Sequence, residues 1–218
     1  MALAIFDLDN TLLAGDSDYL WGQFLIKEGI VDKDHYEKEN QRFYDEYKAG
    51  TLDIYEFLAF SLKPLSENET EKLQQLRRVF IDQEIQKILL PKAFKLVKSH
   101  ADKGDTLMII TATNRFVTEP IANLLGIEHL LATDPEMQNG RYTGRVEGIP
   151  CFQDGKVKRL AAWLKAKNAT MEGSWFYSDS HNDLPLLNQV TNPVVVDADE
   201  QLMTVAKEQN WPIITLRE

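Results

Sequence analysis

Asp7-Leu8-Asp9-Asn10-Thr11 follows at once on the apolar run Ala2-Leu3-Ala4-Ile5-Phe6, so two carboxylates emerge together where a short strand should end. Residues two apart in an extended chain point to the same side, and Asp7 and Asp9 would therefore project together beyond the strand. Carboxylates held that close repel one another. A cation between them, or a proton on one of them, relieves the repulsion, and both conditions suit catalysis. The plain alternative is an acidic turn.

Three further elements follow in chain order. Thr106 to Ile110 reads as a buried strand and delivers Thr111-Ala112-Thr113-Asn114, small hydroxyl residues and helix-capping signals. Gly155-Lys156 opens a segment, Val157 to Lys167, in which Val157, Leu160, Ala161 and Leu164 recur at helical spacing. Trp175-Phe176-Tyr177 runs into Ser178-Asp179-Ser180-His181-Asn182-Asp183, a second pair of carboxylates, now four apart.

The order of aspartate pair, threonine, lysine and aspartate pair resembles the four motifs of the haloacid dehalogenase-like hydrolases. A helical insertion directly after the first motif and the wide spacing of the last pair resemble the phosphoserine phosphatase branch. The resemblance implies an α/β fold, with a Rossmann-like parallel sheet core (1–13 and 89–218) and an inserted helical cap (14–88). It also implies a phosphomonoesterase in which Asp7 attacks phosphorus to form an aspartyl phosphate. Asp9 would protonate the leaving alcohol and then activate water, which requires separated pKa values for the pair.

Phosphoryl transfer asks mainly for charge neutralisation. Carboxylates without a Cys or His cluster favour Mg²⁺. By the resemblance, Asp7, Asp179 and the main-chain carbonyl of Asp9 would bind it, with Asp183 either ligating or holding water. Lys156 would neutralise the phosphate and restrain Asp7, in preference to Lys158. The Thr111 hydroxyl, the backbone N–H groups of Leu8, Asn10 and Ala112, and Asn182 would cradle the phosphate. Thr111 could otherwise serve as a helix N-cap. His181 is expected to face solvent or the substrate's edge.

Phosphoserine phosphatases hold the substrate amine with an acidic residue at the position occupied here by Asp16. Their cap arginine, which binds the substrate carboxylate, has no counterpart in Leu58-Ala59-Phe60-Ser61-Leu62. A carboxylate desolvated without its cation is costly. A substrate with an amine and no carboxylate fits better, histidinol phosphate being one. Phosphoserine hydrolysis, phosphoryl transfer to another acceptor, a phosphomutase and a non-catalytic regulator are the competing readings. Tyr19, Trp21, Phe24, Tyr55, Phe57 and Phe60 have the helical spacing of cap core, with one or two left to touch ligand.

Composition narrows the field. The 218 residues are 44% hydrophobic, enough for one core with a sizeable insertion. A net charge of −10 and a pI near 5.0 argue against nucleic-acid or anionic-membrane partners. No apolar run approaches the length of a bilayer span, and the N-terminus lacks a basic region. With Cys151 as the single cysteine, no internal disulfide can form. These features lead us to expect a cytoplasmic enzyme acting on a small phosphomonoester, with no obligate protein partner.

The elements that must position these residues can be read in outline. One helix should contain Tyr19 to Ile26 and close near Gly29, a second should run from Asp34 to Lys48, and a third from Asp53 to Leu62, ended by Pro64. Ser66 as N-cap and Glu69 at the capping-box position predict a fourth, running towards Ile88. Beyond Pro91, strands are predicted at Thr106–Ile110, His129–Thr133, Ser174–Tyr177 and Pro193–Val196, with Ala2–Phe6 before them and a short one at Ile213–Thr215. Asn139-Gly140 marks a hairpin turn. Ligands of such sheets bind beyond the carboxyl ends of the strands, towards which Asp7, Thr111 and Asp179 all point.

Overall fold

The computed structural model describes residues 2–217. Seven strands form one sheet in the order β4-β3-β2-β1-β5-β6-β7, comprising β1 (Leu3–Phe6), β2 (Thr106–Asn114), β3 (His129–Gln138), β4 (Arg141–Glu147), β5 (Trp175–Ser178), β6 (Asn192–Val196) and β7 (Ile213–Ile214). All neighbours are parallel except β3 and β4, which form a hairpin around Asn139 and Gly140, both at positive φ. The fold is mixed α/β, a largely parallel sheet covered by helices.

Alternation along β1 explains why the sheet is covered on both faces. Ala4 and Phe6 join an apolar cluster with Val97, Phe116, Val117 and Ile121 from α7 (Pro91–Asp102) and α8 (Arg115–Leu124). Leu3 and Ile5 join the opposite cluster, with Leu160 of α9 (Asp154–Lys167), Leu186 and Leu187 of α10 (Leu184–Leu187), and Leu202 and Ala206 of α11 (Glu200–Gln209). From β1 the chain proceeds first to β2 and β3 on one side and later to β5, β6 and β7 on the other. The crevice of such a sheet opens beside its central strand.

Between Leu13 and Leu89 the chain departs and returns at one place. These two residues form an isolated antiparallel bridge, and the Ala14 amide donates to the Ile88 carbonyl at 2.8 Å. The intervening helices are α1 (Ser17–Lys27), α2 (Lys33–Ala49), α3 (Ile54–Ser61), α4 (Lys63–Glu67), α5 (Thr70–Phe80) and α6 (Gln86–Ile88), with one π turn at Ile81–Ile85. Trp21, Phe24, Leu58, Leu62, Leu73 and Phe80 share the apolar cluster of Phe6 and Phe116, so these helices pack directly on the sheet layer.

Several boundaries differ from those expected. Pro64 does not end the third helix but stands in the first turn of α4, where its missing N–H costs nothing. Ser66 lies inside α4 and donates to the Lys63 carbonyl, and α5 starts after Glu69 with no side-chain cap, so the capping box is not formed. Strand β2 continues through Thr111 to Asn114, and the N-cap of α8 is Asn114, not Thr111. The hairpin turn expected at Asn139-Gly140 is present, but the range of its second strand, β4, is not marked in the sequence; Gly144 and the charged residues Arg141, Arg145 and Glu147 hide its periodicity.

Candidate active site

The loop after β1 carries the first carboxylate pair. The Asp7 amide donates to the Tyr177 carbonyl at 2.9 Å, extending the β1–β5 pairing by one residue and fixing Asp7 at the strand end. Asp7 is buried, and Lys156 Nζ lies 2.7 Å from its Oδ1. The same ammonium lies 2.7 and 2.9 Å from the two oxygens of Asp183, whose Oδ2 also accepts from Ser178 Oγ at 2.7 Å. Burial alone would lower the Lys156 pKa, but Asp183 and Asp7 more than reverse this and keep the ammonium charged. Lys158 is exposed.

Glycine at position 155 is dictated by space. A Cβ there would lie 2.0 Å from the Pro150 carbonyl oxygen, so no other residue could start α9 on this path and deliver Lys156 to Asp7. Gln153, just before the helix, has positive φ, and its side-chain amide donates to Asn182 Oδ1 at 2.9 Å.

Asp9 faces a different environment. Its Oδ1 accepts from the Ser17 amide at 2.6 Å and its Oδ2 from Thr113 Oγ1 at 2.8 Å. Burial, then the nearby Asp16 carboxylate, pushes its pKa up to about 6 against these hydrogen bonds. Burial also pushes Asp7 up to about 7, opposed by Lys156. Asp179 is pushed well above the carboxylate range by burial and by Asp7 and Asp183. Thr11 Oγ1 lies 3.1 Å from Asp179 Oδ1 and 3.4 Å from Asp7 Oδ2, so one hydroxyl spans both carboxylates.

The remaining expected residues are spread around this centre. Thr111 is buried and Ala112 lines the cavity beside Asp7; the Leu8 amide has no hydrogen-bond partner among the described residues, whereas that of Asn10 donates to the Gly15 carbonyl at 2.9 Å. Asn182 turns its amide to the Tyr47 carbonyl at 3.1 Å, tying the turn at His181–Asp183 to the end of α2. His181 does not line the Asp7 cavity: its side chain is 13% exposed in a second, open pocket beside Asp179, where its Nδ1 pairs with Asp199 Oδ2 at 2.8 Å. Cys151 is buried, with its pKa pushed up to about 12 by burial.

From Asp7 a cavity opens towards the inserted helices. Asp9, Asp16, Asp18, Thr111 and Thr113 contribute polar side chains to its lining, and Tyr19, Phe43, Tyr44, Tyr47 and Phe57 aromatic ones. No Lys, Arg or His contributes to the lining. Asp16 caps α1, accepting the Asp18 and Tyr19 amides at 2.9 Å on Oδ1 alone, and burial raises its pKa. Among the early aromatics, Trp21 and Phe24 are core, Phe60 packs on Tyr36 and Phe43, and Tyr55 is exposed.

Reading the sequence missed Thr11, Asp18, Tyr47, Thr113 and Ser178. Thr113 was within reach, since an extended Thr111-Ala112-Thr113 aims both threonines to one side. Tyr47 carried no such signal: its place depends on how α2 packs across the crevice.

A metal can be tested against the donors present. Asp7, Asp179 and nearby main-chain oxygens are hard ligands, and the raised pKa of Asp179 marks negative charge in need of a cation. Among the described residues no three His, Cys, Asp or Glu side chains converge as a ligand set, and Asp183 is committed to Lys156 and Ser178. Two carboxylates with open positions suit Mg²⁺, which keeps waters and takes substrate phosphate oxygens, so the residues fit.

Residues 4–188 match the model of the haloacid dehalogenase-like hydrolases, and the chain belongs to that family. It is 43% identical to a histidinol-phosphatase of Neisseria meningitidis serogroup C (strain 8013), over 99% of each chain. It superimposes with a TM-score of 0.93, at 40% identity over 99% and 98% of the two chains, on a protein of unknown function from Bordetella pertussis Tohama I. A substrate-bound phosphoserine phosphatase shares the fold, with a TM-score of 0.72 at 18% identity over 98% of this chain and 92% of the other. Family and relatives together make the protein a phosphoric monoester hydrolase. No helix among the described residues is long and apolar enough to cross a membrane.

Proposed function

We propose that this phosphatase hydrolyses a small amine-bearing phosphomonoester, histidinol phosphate being the favoured candidate, through an aspartyl phosphate on Asp7 and with Mg²⁺. The observation that carries the substrate reading is the cavity lining: four carboxylates, aromatic walls and no basic side chain. A phosphoserine carboxylate in that space would meet like charge without a counter-ion, whereas an ammonium group would relieve the repulsion. The relative named histidinol-phosphatase supports the same choice.

The ion pair with Lys156, which Asp7 makes and Asp9 does not, supports the division of labour that the family resemblance implies. Asp7, paired with Lys156, attacks phosphorus as a carboxylate; a P–O bond to Asp7 forms as the ester P–O bond breaks. Asp9, held by the Ser17 amide and the Thr113 hydroxyl beside the cavity, gives a proton to the departing alkoxide. It then accepts one from the water that attacks the aspartyl phosphate, releasing inorganic phosphate and restoring both residues. Thr111 and the free Leu8 amide hold the phosphoryl oxygens, and Lys156 neutralises them. Asp7, Asp179 and, by the family resemblance, the Asp9 carbonyl would hold Mg²⁺, which would supply positive charge against the phosphoryl oxygens. Asp183 acts by holding Lys156. Helices between Leu13 and Leu89 act as the cap, and Asp16 receives the amine on its uncommitted Oδ2.

Steady-state hydrolysis tests this directly. Histidinol phosphate is expected to exceed phosphoserine in kcat/KM by about ten- to a hundred-fold, the weight of one charge-assisted hydrogen bond. Asp16→Asn should lower turnover of the amine substrate far more than that of p-nitrophenyl phosphate. Phosphoserine as the better substrate, or equal loss on both esters, would falsify the amine reading.

A further inference from the structure

The cavity holds one carboxylate that neither the hydrolytic chemistry nor the amine at Asp16 requires. Asp18 lies in the first turn of α1, and its Oδ1 accepts from Asn114 Nδ2 at 3.2 Å. Asn114 Oδ1 is itself taken by the Val117 amide at 3.2 Å, so the Asn114 side chain has one orientation, with its NH₂ towards Asp18. The arrangement spans two elements, the end of β2 and the start of α1, and fixes the Asp18 carboxyl while leaving Oδ2 without a protein partner among the described residues. Asp18 makes no hydrogen bond to Asp9, Thr111 or Thr113.

A carboxylate near a helix N-terminus gains from the dipole when it is exposed. Here burial, reinforced by Asp16 and Asp9, pushes the Asp18 pKa well above the carboxylate range, so the position disfavours its charge. The cavity offers Asp18 no cation, and beside it stand Tyr19, Tyr44, Phe43 and Phe57, the first two with ring centroids 5.3 Å apart. Flat walls and a second acceptor suit a flat group bearing an N–H.

We propose that Asp18, oriented by Asn114, is a specificity-determining residue that accepts a hydrogen bond from the ring nitrogen of a heteroaromatic substrate. This deepens, and rests on, the amine reading of the same cavity. The substrate class becomes a phosphomonoester with two nitrogen groups, an amine for Asp16 and a ring N–H for Asp18. Asn114 is a positioning residue for that contact. A ring nitrogen lost from the substrate leaves Asp18 buried and unpaired, and such a site rejects the analogue that lacks the polar group.

Histidinol phosphate and phenylalaninol phosphate test the assignment, since both carry the amine and an aromatic ring and only the first has ring nitrogens. Wild-type protein should favour histidinol phosphate by tenfold or more in kcat/KM, with the difference mainly in KM. In Asp18→Leu, which removes every hydrogen-bonding atom of the side chain at this position and is checked for folding by thermal denaturation, the ratio should collapse towards one. A wild-type ratio near one overturns the proposal without any variant being needed. A wild-type preference that persists in folded Asp18→Leu overturns it as well. Hydrolysis of p-nitrophenyl phosphate with neither amine ester turned over would remove the amine reading together with this one, and no turnover of any ester would remove the phosphatase reading itself.

Discussion

The two ends of the active-site cavity solve opposite electrostatic problems. At the sheet end, Lys156 sits between Asp7 and Asp183 within 2.9 Å of each, so buried charges are paired and their positions fixed by strand ends and the start of α9. At the helical end, Asp16 and Asp18 have each committed only one oxygen and face no cation. Carboxylates gathered on a protein ammonium suit chemistry that is the same for every phosphate ester. Carboxylates that face no cation suit completion by the ligand, which is the basis of the selectivity proposed above.

Breaking the sheet end should produce the largest effects. Asp7→Asn is expected to lower phosphate release by at least about 10⁴-fold with the fold retained, because an amide does not attack phosphorus comparably. Rapid-quench assays on protein with an unchanged melting temperature measure this; activity within tenfold of wild type would remove Asp7 as nucleophile. Chelation should come next, with a loss of at least about a hundredfold, reversed by Mg²⁺ and poorly by Ca²⁺, whose longer bonds suit an octahedral site badly. Full turnover after exhaustive chelation contradicts this.

Lys156→Met reaches the pairing itself. Removing one partner from a buried ion pair costs about 3–5 kcal/mol, and here two carboxylates lose theirs. Asp7, whose pKa burial already raises, can take up a proton instead, which places the expected loss near the lower bound at neutral pH. Carboxyls whose folded pKa lies above the unfolded value stabilise below the unfolded pKa, and that contribution is lost as pH rises through the folded one. The deficit of the variant should therefore shrink from pH 8 to pH 5. Urea melts in chelator at both pH values measure it, and a deficit that grows on acidification rejects the pairing argument.

This asymmetry also accounts for what was legible in the sequence. The strand ends announced themselves, because Asp7, Thr111 and Asp179 each follow an apolar run that has only one sensible placement in a parallel sheet. The alternation of β1 into both cores follows from the same pattern. At the helical end the residues stand on α1, α2 and α3, whose faces are set by packing against one another. Gly22, where a Cβ would meet Asn40 at 2.8 Å, lets α1 and α2 approach closely, and nothing near Tyr44 or Tyr47 in the sequence encodes that contact. Similarly, Pro64 reads as a stop signal until Leu62 and Leu65, both buried, show that the chain turns there only to keep its apolar residues inward.

The smallest expected effect concerns the junction between the two ends. Asn182 was expected to touch phosphate, yet its amide N–H groups reach the Tyr47 carbonyl at 3.1 Å and Ser180 Oγ at 3.3 Å, and its Oδ1 accepts from Gln153. We propose that it holds α2 over the crevice beside Asp179. Loss of one such hydrogen bond is worth about 1 kcal/mol, roughly a fivefold effect. Asn182→Ala should accordingly raise KM for an amine ester by several-fold, because the helical end is less firmly closed over it. Competitive inhibition by inorganic phosphate separates the two roles. Phosphate contacts the sheet end alone, so its inhibition constant should change by less than twofold if Asn182 is a tie between elements. An inhibition constant that rises as much as KM would return Asn182 to the phosphate cradle and leave the junction to the other contacts of this loop with the end of α2, among them the close approach of Gly50 to His181.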